Sequence, residues 1–307
     1  MTAQVLAPIT ILDAMITASA IAEPDTTSGE AIWVAATSYT IGQKVIRTGT
    51  HRVYTALAAG VDAGLPEATP LRWFDTGPTN KWAAFDIYKS TAIKCTSGNL
   101  TMTLKPGIIT GMYLGGLVGD SLRMVCKNST SLAVYSDVTY PLSTYLTGDL
   151  MWEFYFGTPR QQDNLRITGL YPQDAQVELT LTPSTTAGYA AIGIWALGSW
   201  SPLGSPLNGF KAQPQDFTRF TVDAYGTVSI TKGLTAKSLV GTCVMQSLAE
   251  AQAVADTVYQ LLGTPCAWAI ASSTSYDYLS AFGLGSADIT PAGPSHATLD
   301  LTVKGFV

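Results

Sequence analysis

The chain has 307 residues, of which 13% are charged and 47% hydrophobic, and it carries a formal net charge of −5. That length allows two or three domains, each with its own core, and the acidic balance without any Lys/Arg cluster argues against a nucleic-acid partner, whose phosphates need a basic stripe. So little charge is thin polar cover for a lone monomer and points to apolar surface buried in an assembly, while the many Thr, Val, Tyr and turn residues point to β structure.

The first segment, "MTAQVLAPITILDAMITASAIAEPD", is apolar and ends in small residues, as the hydrophobic region of a signal peptide does. It has no Lys or Arg before Lys44, and Asp13 interrupts the run, so a folded segment is expected. Its residues could pack on this chain or on a neighbour. No stretch approaches the roughly 18 apolar residues of a membrane span, and none is predicted.

From Ala31 to Gly77 short alternating runs are broken at Ile41-Gly42 and Thr48-Gly49-Thr50. "KVIR" and "HRVYTAL" read as a hairpin across the second turn. A module of about 45 residues is small for independent stability, so its aromatic rings must supply the core or a neighbour must help. The stretch "RWFDTGPTNKWAAFD", residues 72–86, then places Trp73 and Phe74 before a break, and Trp82 and Phe85 after it. A sugar-binding surface or a seam between packed domains would explain it. The seam is the expectation: Trp73 and Phe74 close the module, Gly77-Pro78-Thr79-Asn80 turn the chain, and Trp82 and Phe85 enter the next core. Pro78, with its fixed φ, stiffens the junction.

Residues 78–206 contain strand-length runs, among them "SLRMVCK", "LMWEFYFG", "NLRITGL" and "AAIGIWALGSW". "QVELTLT" alternates and puts Val177, Leu179 and Leu181 on one face. Seven or eight such runs predict a β-sandwich or jelly roll. From 207 to 307, "TVSITKG" and "SLVGTCVMQ" read as strands, and "SLAEAQAVADTVYQLLGTPCAW" carries the strong helix signal. Ser247 and Glu250 form a capping box, Leu248, Ala251, Val254, Val258 and Leu261 recur at helical spacing, and Gly263 and Pro265 end it. "CAWAIA", "DYLSAFGLG" and "ATLDLTVKGF" return to strands. The fold class expected is mainly β and multidomain: an N-terminal segment with a small β module (1–77, the module about 31–77), a sandwich (78–206), and an α+β domain with one amphipathic helix (207–307).

Trp33, Tyr39, Gly42, Val45, Gly49, Tyr54-Thr55-Ala56, Pro66 and Trp73 recur in the order found in small chitin- and cellulose-binding modules, and the segment resembles the type 5/12 carbohydrate-binding families. The resemblance makes Trp33, Tyr39, Tyr54 and Trp73 the candidate carbohydrate-binding residues. The family's further rings, just after Tyr-x-Ala, are replaced here by Leu57-Ala58-Ala59, so the alternative is that the four hold the fold. The longer run Trp73 to Asp86 resembles a group of tailed-bacteriophage tail or baseplate proteins, in which such a module leads into a galactose-binding-like jelly roll; residues 190–204 resemble the last strand of that jelly roll.

That second resemblance implies a non-enzymatic structural component of a phage tail tip or baseplate, located in the virion tail after assembly in the bacterial cytoplasm. Its partners would be other tail subunits, further copies of itself through residues 207–307, and a host surface glycan. A free carbohydrate-binding protein and a polysaccharide hydrolase are the alternatives, the latter through Asp149 and Glu153 or Asp174 and Glu178. No G-x-S-x-G elbow occurs, and the Gly-rich Leu114–Asp120 lacks G-x-G-x-x-G and a Walker lysine. His51 and His296 read as surface or capping histidines. Cys95, Cys126, Cys243 and Cys266 lack C-x-x-C spacing and read as buried free thiols, with a Cys95–Cys126 bridge as the oxidising-compartment alternative. No cofactor and no metal are expected.

Overall fold

A computed structural model describes residues 2–62, 64–144, 155, 160–271, 278–293 and 295–306. The chain is mainly β, with several sheets and one main helix, as its composition and strand pattern predict. A nine-stranded antiparallel sheet forms its centre. Its strands lie in the order Asn164–Ile167, Gly111–Gly115, Ile194–Pro206, Ala3–Pro8, Cys266–Ala269, Ser280–Pro291, Ala297–Gly305, Thr235–Met245 and Lys211–Asp216, and Ile194–Pro206 also pairs with Thr235–Met245, so the six strands from one to the other close into a ring. The sheet is therefore continuous across residues 206 and 207, where the sequence pattern changes. The N-terminal strand packs on its own chain: Leu6 lies opposite Trp200 on one side, and Val5 opposite Trp268 on the other.

A five-stranded sheet, in the order Val134–Pro141, Ser121–Asn128, Gln173–Thr182, Leu100–Ile109 and Ile16–Ser19, covers one end of the large sheet. The alternation read from sequence places Val177, Leu179 and Leu181 in the shared core with Leu122, Met124 and, from the large sheet, Trp195 and Leu197. The helix Leu248–Leu261 covers the other end through Ala251, Val254 and Val258, over a core built around Trp268 and Leu299. Ser247 Oγ accepts the N–H of Glu250 at 3.1 Å, and the Glu250 carboxylate accepts that of Gln246 at 2.8 Å, so the cap read from sequence forms. Register puts Val5, Trp195 and Leu197 on one face of the large sheet, so the helix and the five-stranded sheet share that face. The opposite face carries Leu6, Tyr113, Ile194 and Phe282.

The small module is a four-stranded sheet, Ala31–Ile32, Lys44–Arg47, Arg52–Ala56 and Trp73–Pro78, with a side pair Thr37–Tyr39 and Gly60–Asp62. The hairpin predicted from "KVIR" and "HRVYTAL" forms, with Val45 opposite Tyr54. One expectation is corrected. The strand does not break at Gly77 but runs through it to Pro78 on the sheet's edge, where proline is tolerated. Thr76 is the extra residue of a bulge, and Gly77 sits at φ 145°, a conformation open to glycine and strained for other residues.

Candidate functional site

Tyr39, Tyr54 and Trp73 are buried together with Val45 and Ala56, and Trp33 packs against them from the side. Tyr39 meets Trp73 edge-on, with centroids 5.1 Å apart and planes at 76°. The Tyr39 hydroxyl accepts the Val34 N–H at 2.7 Å and donates to the Val34 carbonyl at 3.0 Å. Over Trp33 lies the Arg47 guanidinium, 4.8 Å from the ring centroid and itself paired with Glu67 at 2.8 Å. The structure thus brings all four candidate carbohydrate-binding residues together, Tyr39, Tyr54 and Trp73 as a core and Trp33 partly buried against it. A pyranose stacks on an exposed aromatic plane, and Tyr39, Tyr54 and Trp73 present none. Their spacing reflects the module's fold.

The stretch 72–86 does form a seam, with two rings placed otherwise than expected: Phe74 faces solvent, and of Trp82 and Phe85 only Phe85 packs against the sandwich core. Trp73 is 2% exposed, whereas Phe74 is 58% exposed and does not close the module, because successive strand residues face opposite ways. Through the 3₁₀ turn Asn80–Phe85 the rings run in series. His51, in the module's hairpin turn, stacks on Trp82 at 4.2 Å; Trp82 meets Phe85 at 5.8 Å; Phe85 lies 5.9 Å from Trp195 in the sandwich core.

His51 is the member that sequence reading assigned to the surface. Its partners arrive from the N-terminal segment: Asp13 lies 3.0 Å from Nε2, and Glu23 3.7 Å from Nδ1. Glu23 also accepts the Thr79 hydroxyl at 2.9 Å. Asn80 donates to Asp25 at 2.8 Å and to the Lys94 carbonyl at 2.9 Å. Asp25 carries a desolvation penalty, yet the hydrogen bonds from Asn80 and Thr27 hold its carboxyl below the usual range.

Beside the seam lies a cleft of about 430 Å³, lined among others by His51, Arg52, Trp82, Phe85, Asp86 and Trp195. Burial pushes the Asp86 carboxyl above its ordinary value, opposed by a hydrogen bond from Thr91. Arg52 is shared with Asp75 at 2.8 Å.

Of the carboxylate pairs considered for hydrolysis, Asp149 and Glu153 lie outside the described residues. Asp174 accepts the Ser129 hydroxyl, in the turn after Ser121–Asn128, and Glu178 pairs with Lys127 of that strand at 2.6 Å, so both carboxylates are engaged in structural contacts. His296 is exposed. Among the described residues no cluster of three or more His, Cys, Asp or Glu gathers as a metal site, and no helix is long and apolar enough to cross a membrane.

All four cysteines are free and buried. Burial pushes the Cys126 thiol up to about 11, and those of Cys243 and Cys266 up to about 12. In the native protein at pH 8 these thiols are therefore expected to stay unreactive toward an aromatic disulfide reagent over hours, with prompt labelling after denaturation; prompt labelling of folded protein is the contrary result. The sign for stability follows. Unfolded thiols ionise from about pH 9 while the buried ones stay protonated, so this contribution is intact below about pH 9 and is lost as pH rises toward about 12.

No family model matches the sequence, and no curated protein and no solved structure shows a significant match to it.

Proposed function

We propose that the chain is a structural subunit of a bacteriophage tail tip or baseplate, acting by assembly rather than catalysis, with further copies of itself and other tail proteins as partners. The sequence run Trp73–Asp86 supplies the resemblance. The observation that carries the assembly reading is apolar surface left outside every core and concentrated at residues 207–234, in a chain with only 13% charged residues. Leu207, Phe217, Phe220, Tyr225 and Ile230 are all exposed there. Surface of this kind on a low-charge protein marks an interaction face. The seam is compatible with the same reading, since ring contacts and hydrogen bonds join the module to the body. Electron cryo-microscopy of the co-expressed tail-tip complex tests it. Density for this chain in a symmetric ring, with residues 207–307 at the contacts, is expected. A monomer absent from the particle would overturn the reading.

A second reading, contact with a host glycan, rests on the seam cleft instead of the four module residues. Trp82 and Phe85, both partly exposed, line it with Arg52 and Asp86, the mix of ring and polar groups that sugar sites use. Titration with soluble cell-surface oligosaccharides, followed by tryptophan fluorescence, should then show a saturable change that Trp82→Ala abolishes. An unchanged signal at millimolar sugar would end this reading.

A further inference from the structure

The last two strands in the order of the large sheet, Thr235–Met245 and Lys211–Asp216, continue past it as an arm. Phe217 N–H donates to the Leu234 carbonyl at 3.1 Å, and the chain then forms the hairpin Arg219–Val222 with Val228–Thr231. Local bonds shape it well. The Asp223 carboxylate accepts the N–H groups of Tyr225 and Thr227 at 2.9 and 2.8 Å, which holds that carboxyl below its usual range, and Asp216 accepts that of Thr218 at 2.8 Å. Yet every residue of both strands is exposed.

The register sorts those residues by chemistry. Phe220 lies opposite Ile230, and Val222 opposite Val228, so these four share one face; Arg219 with Thr231, and Thr221 with Ser229, share the other. Period-two alternation with one wholly apolar face is the pattern of a half-buried strand, and a two-stranded ribbon alone in water is marginal at best. Phe220 is 71% exposed and Ile230 68%, so the face has no cover within the chain.

We propose that this face is covered by the same arm of a second copy of the chain, the Phe220, Val222, Val228 and Ile230 faces closing on each other and the polar faces turned to solvent. Charge favours a like partner. From Asp216 to Lys232 the arm has two acids, Asp216 and Asp223, and two bases, Arg219 and Lys232, so it neither seeks a charged partner nor repels itself. Area agrees as well. With roughly 200 Å² for an aromatic side chain and somewhat less for the aliphatic ones and the observed exposures, the four side chains of this face offer on the order of 400 Å² per copy, so two arms would bury about 800 Å², the size of a weak, reversible contact. The contact is isologous, each arm presenting the same patch. This rests on the self-association part of the function proposed above and adds the segment that performs it.

Sedimentation velocity on the full chain, wild type against Phe220→Thr/Ile230→Thr, provides the test. Threonine keeps β propensity and removes the apolar face. Wild type is expected to sediment as a dimer or larger species at tens of micromolar, and the double variant as a monomer with at least a tenfold weaker association and an unchanged circular dichroism spectrum. Separately, Val222→Cys and Val228→Cys in the otherwise wild-type chain should cross-link between copies under mild oxidation, with little background because the four native thiols are buried. A double variant that assembles like wild type, with neither cysteine cross-linking, overturns the arm while self-association stands. A wild-type monomer at every concentration overturns both.

Discussion

Trp73→Ala is expected to unfold the small module while the nine-stranded sheet and its helix remain folded, and Phe74→Ala, one residue along, is expected to do almost nothing. Trp73 is 2% exposed and packs edge-on against Tyr39, with Val45, Tyr54 and Ala56 completing a core of five buried residues. Truncating a buried tryptophan costs about 3–5 kcal/mol, and a core this small rarely supplies more than about 3–5 kcal/mol in total. The loss therefore consumes the module's whole margin. Phe74 faces solvent on the same strand, where substitutions stay within about 0.5 kcal/mol. Limited proteolysis with mass mapping reads the difference: new cuts between residues 31 and 78 in the tryptophan variant, and a wild-type pattern in the phenylalanine variant. If Trp73→Ala kept the protection and instead abolished retention on insoluble polysaccharide, the ring would be a binding residue and the core assignment would fall.

Neighbouring aromatics with opposite roles show what local sequence can and cannot convey. The Lys44–Arg47 and Arg52–Ala56 hairpin, the Ser247–Glu250 cap and the alternation Val177-Leu179-Leu181 are all legible, because turn chemistry, capping and period-two patterning act within a few residues. Phe74 was misread because two rings in sequence look like one cluster, although a strand sends them to opposite faces. The seam was legible in its central rings but not at its ends. His51 gains Asp13 and Glu23 from a distant segment, and Trp195 reaches Phe85 from the last long strand of the sandwich. Nothing adjacent to either residue signals those contacts. The arm was half legible: "TVSITKG" reads as a strand, but its partner Arg219–Val222 follows Pro214 and Asp216 and looks like a loop. The change of pattern near residue 207 does not end the sheet, which hydrogen bonding carries across it.

The N-terminal strand has the largest predicted effect, and sequence left its place open. Ala3–Pro8 lies in the interior of the nine-stranded sheet, between Ile194–Pro206 and Cys266–Ala269, with Ala3, Val5 and Leu6 fully buried. Without it, the two parts of the sheet meet through the short pairing of Ser205 with Val244 and Pro206 with Cys243, extended by the Leu207 N–H donating to the Thr242 carbonyl at 2.9 Å. The long strand Ile194–Pro206 and the short strand Cys266–Ala269 would also gain unpaired edges, which template aggregation. Burial of Val5 and Leu6 is worth about 1.5–3 kcal/mol each, and each backbone bond along the two flanks adds about 1 kcal/mol. The total approaches the roughly 5–15 kcal/mol that a whole domain has to lose. A chain lacking residues 2–9 is therefore expected to be insoluble, and Val5→Asp, which drives an unpaired carboxylate against the Trp268 strand, to reproduce most of that loss. Adding a synthetic peptide of residues 2–12 during refolding should restore soluble protein with a cooperative melt, because the strand's pairing is specified by both flanking edges. A truncated chain that is soluble and melts like wild type without the peptide would mean that the two halves of the sheet are held by something other than this strand.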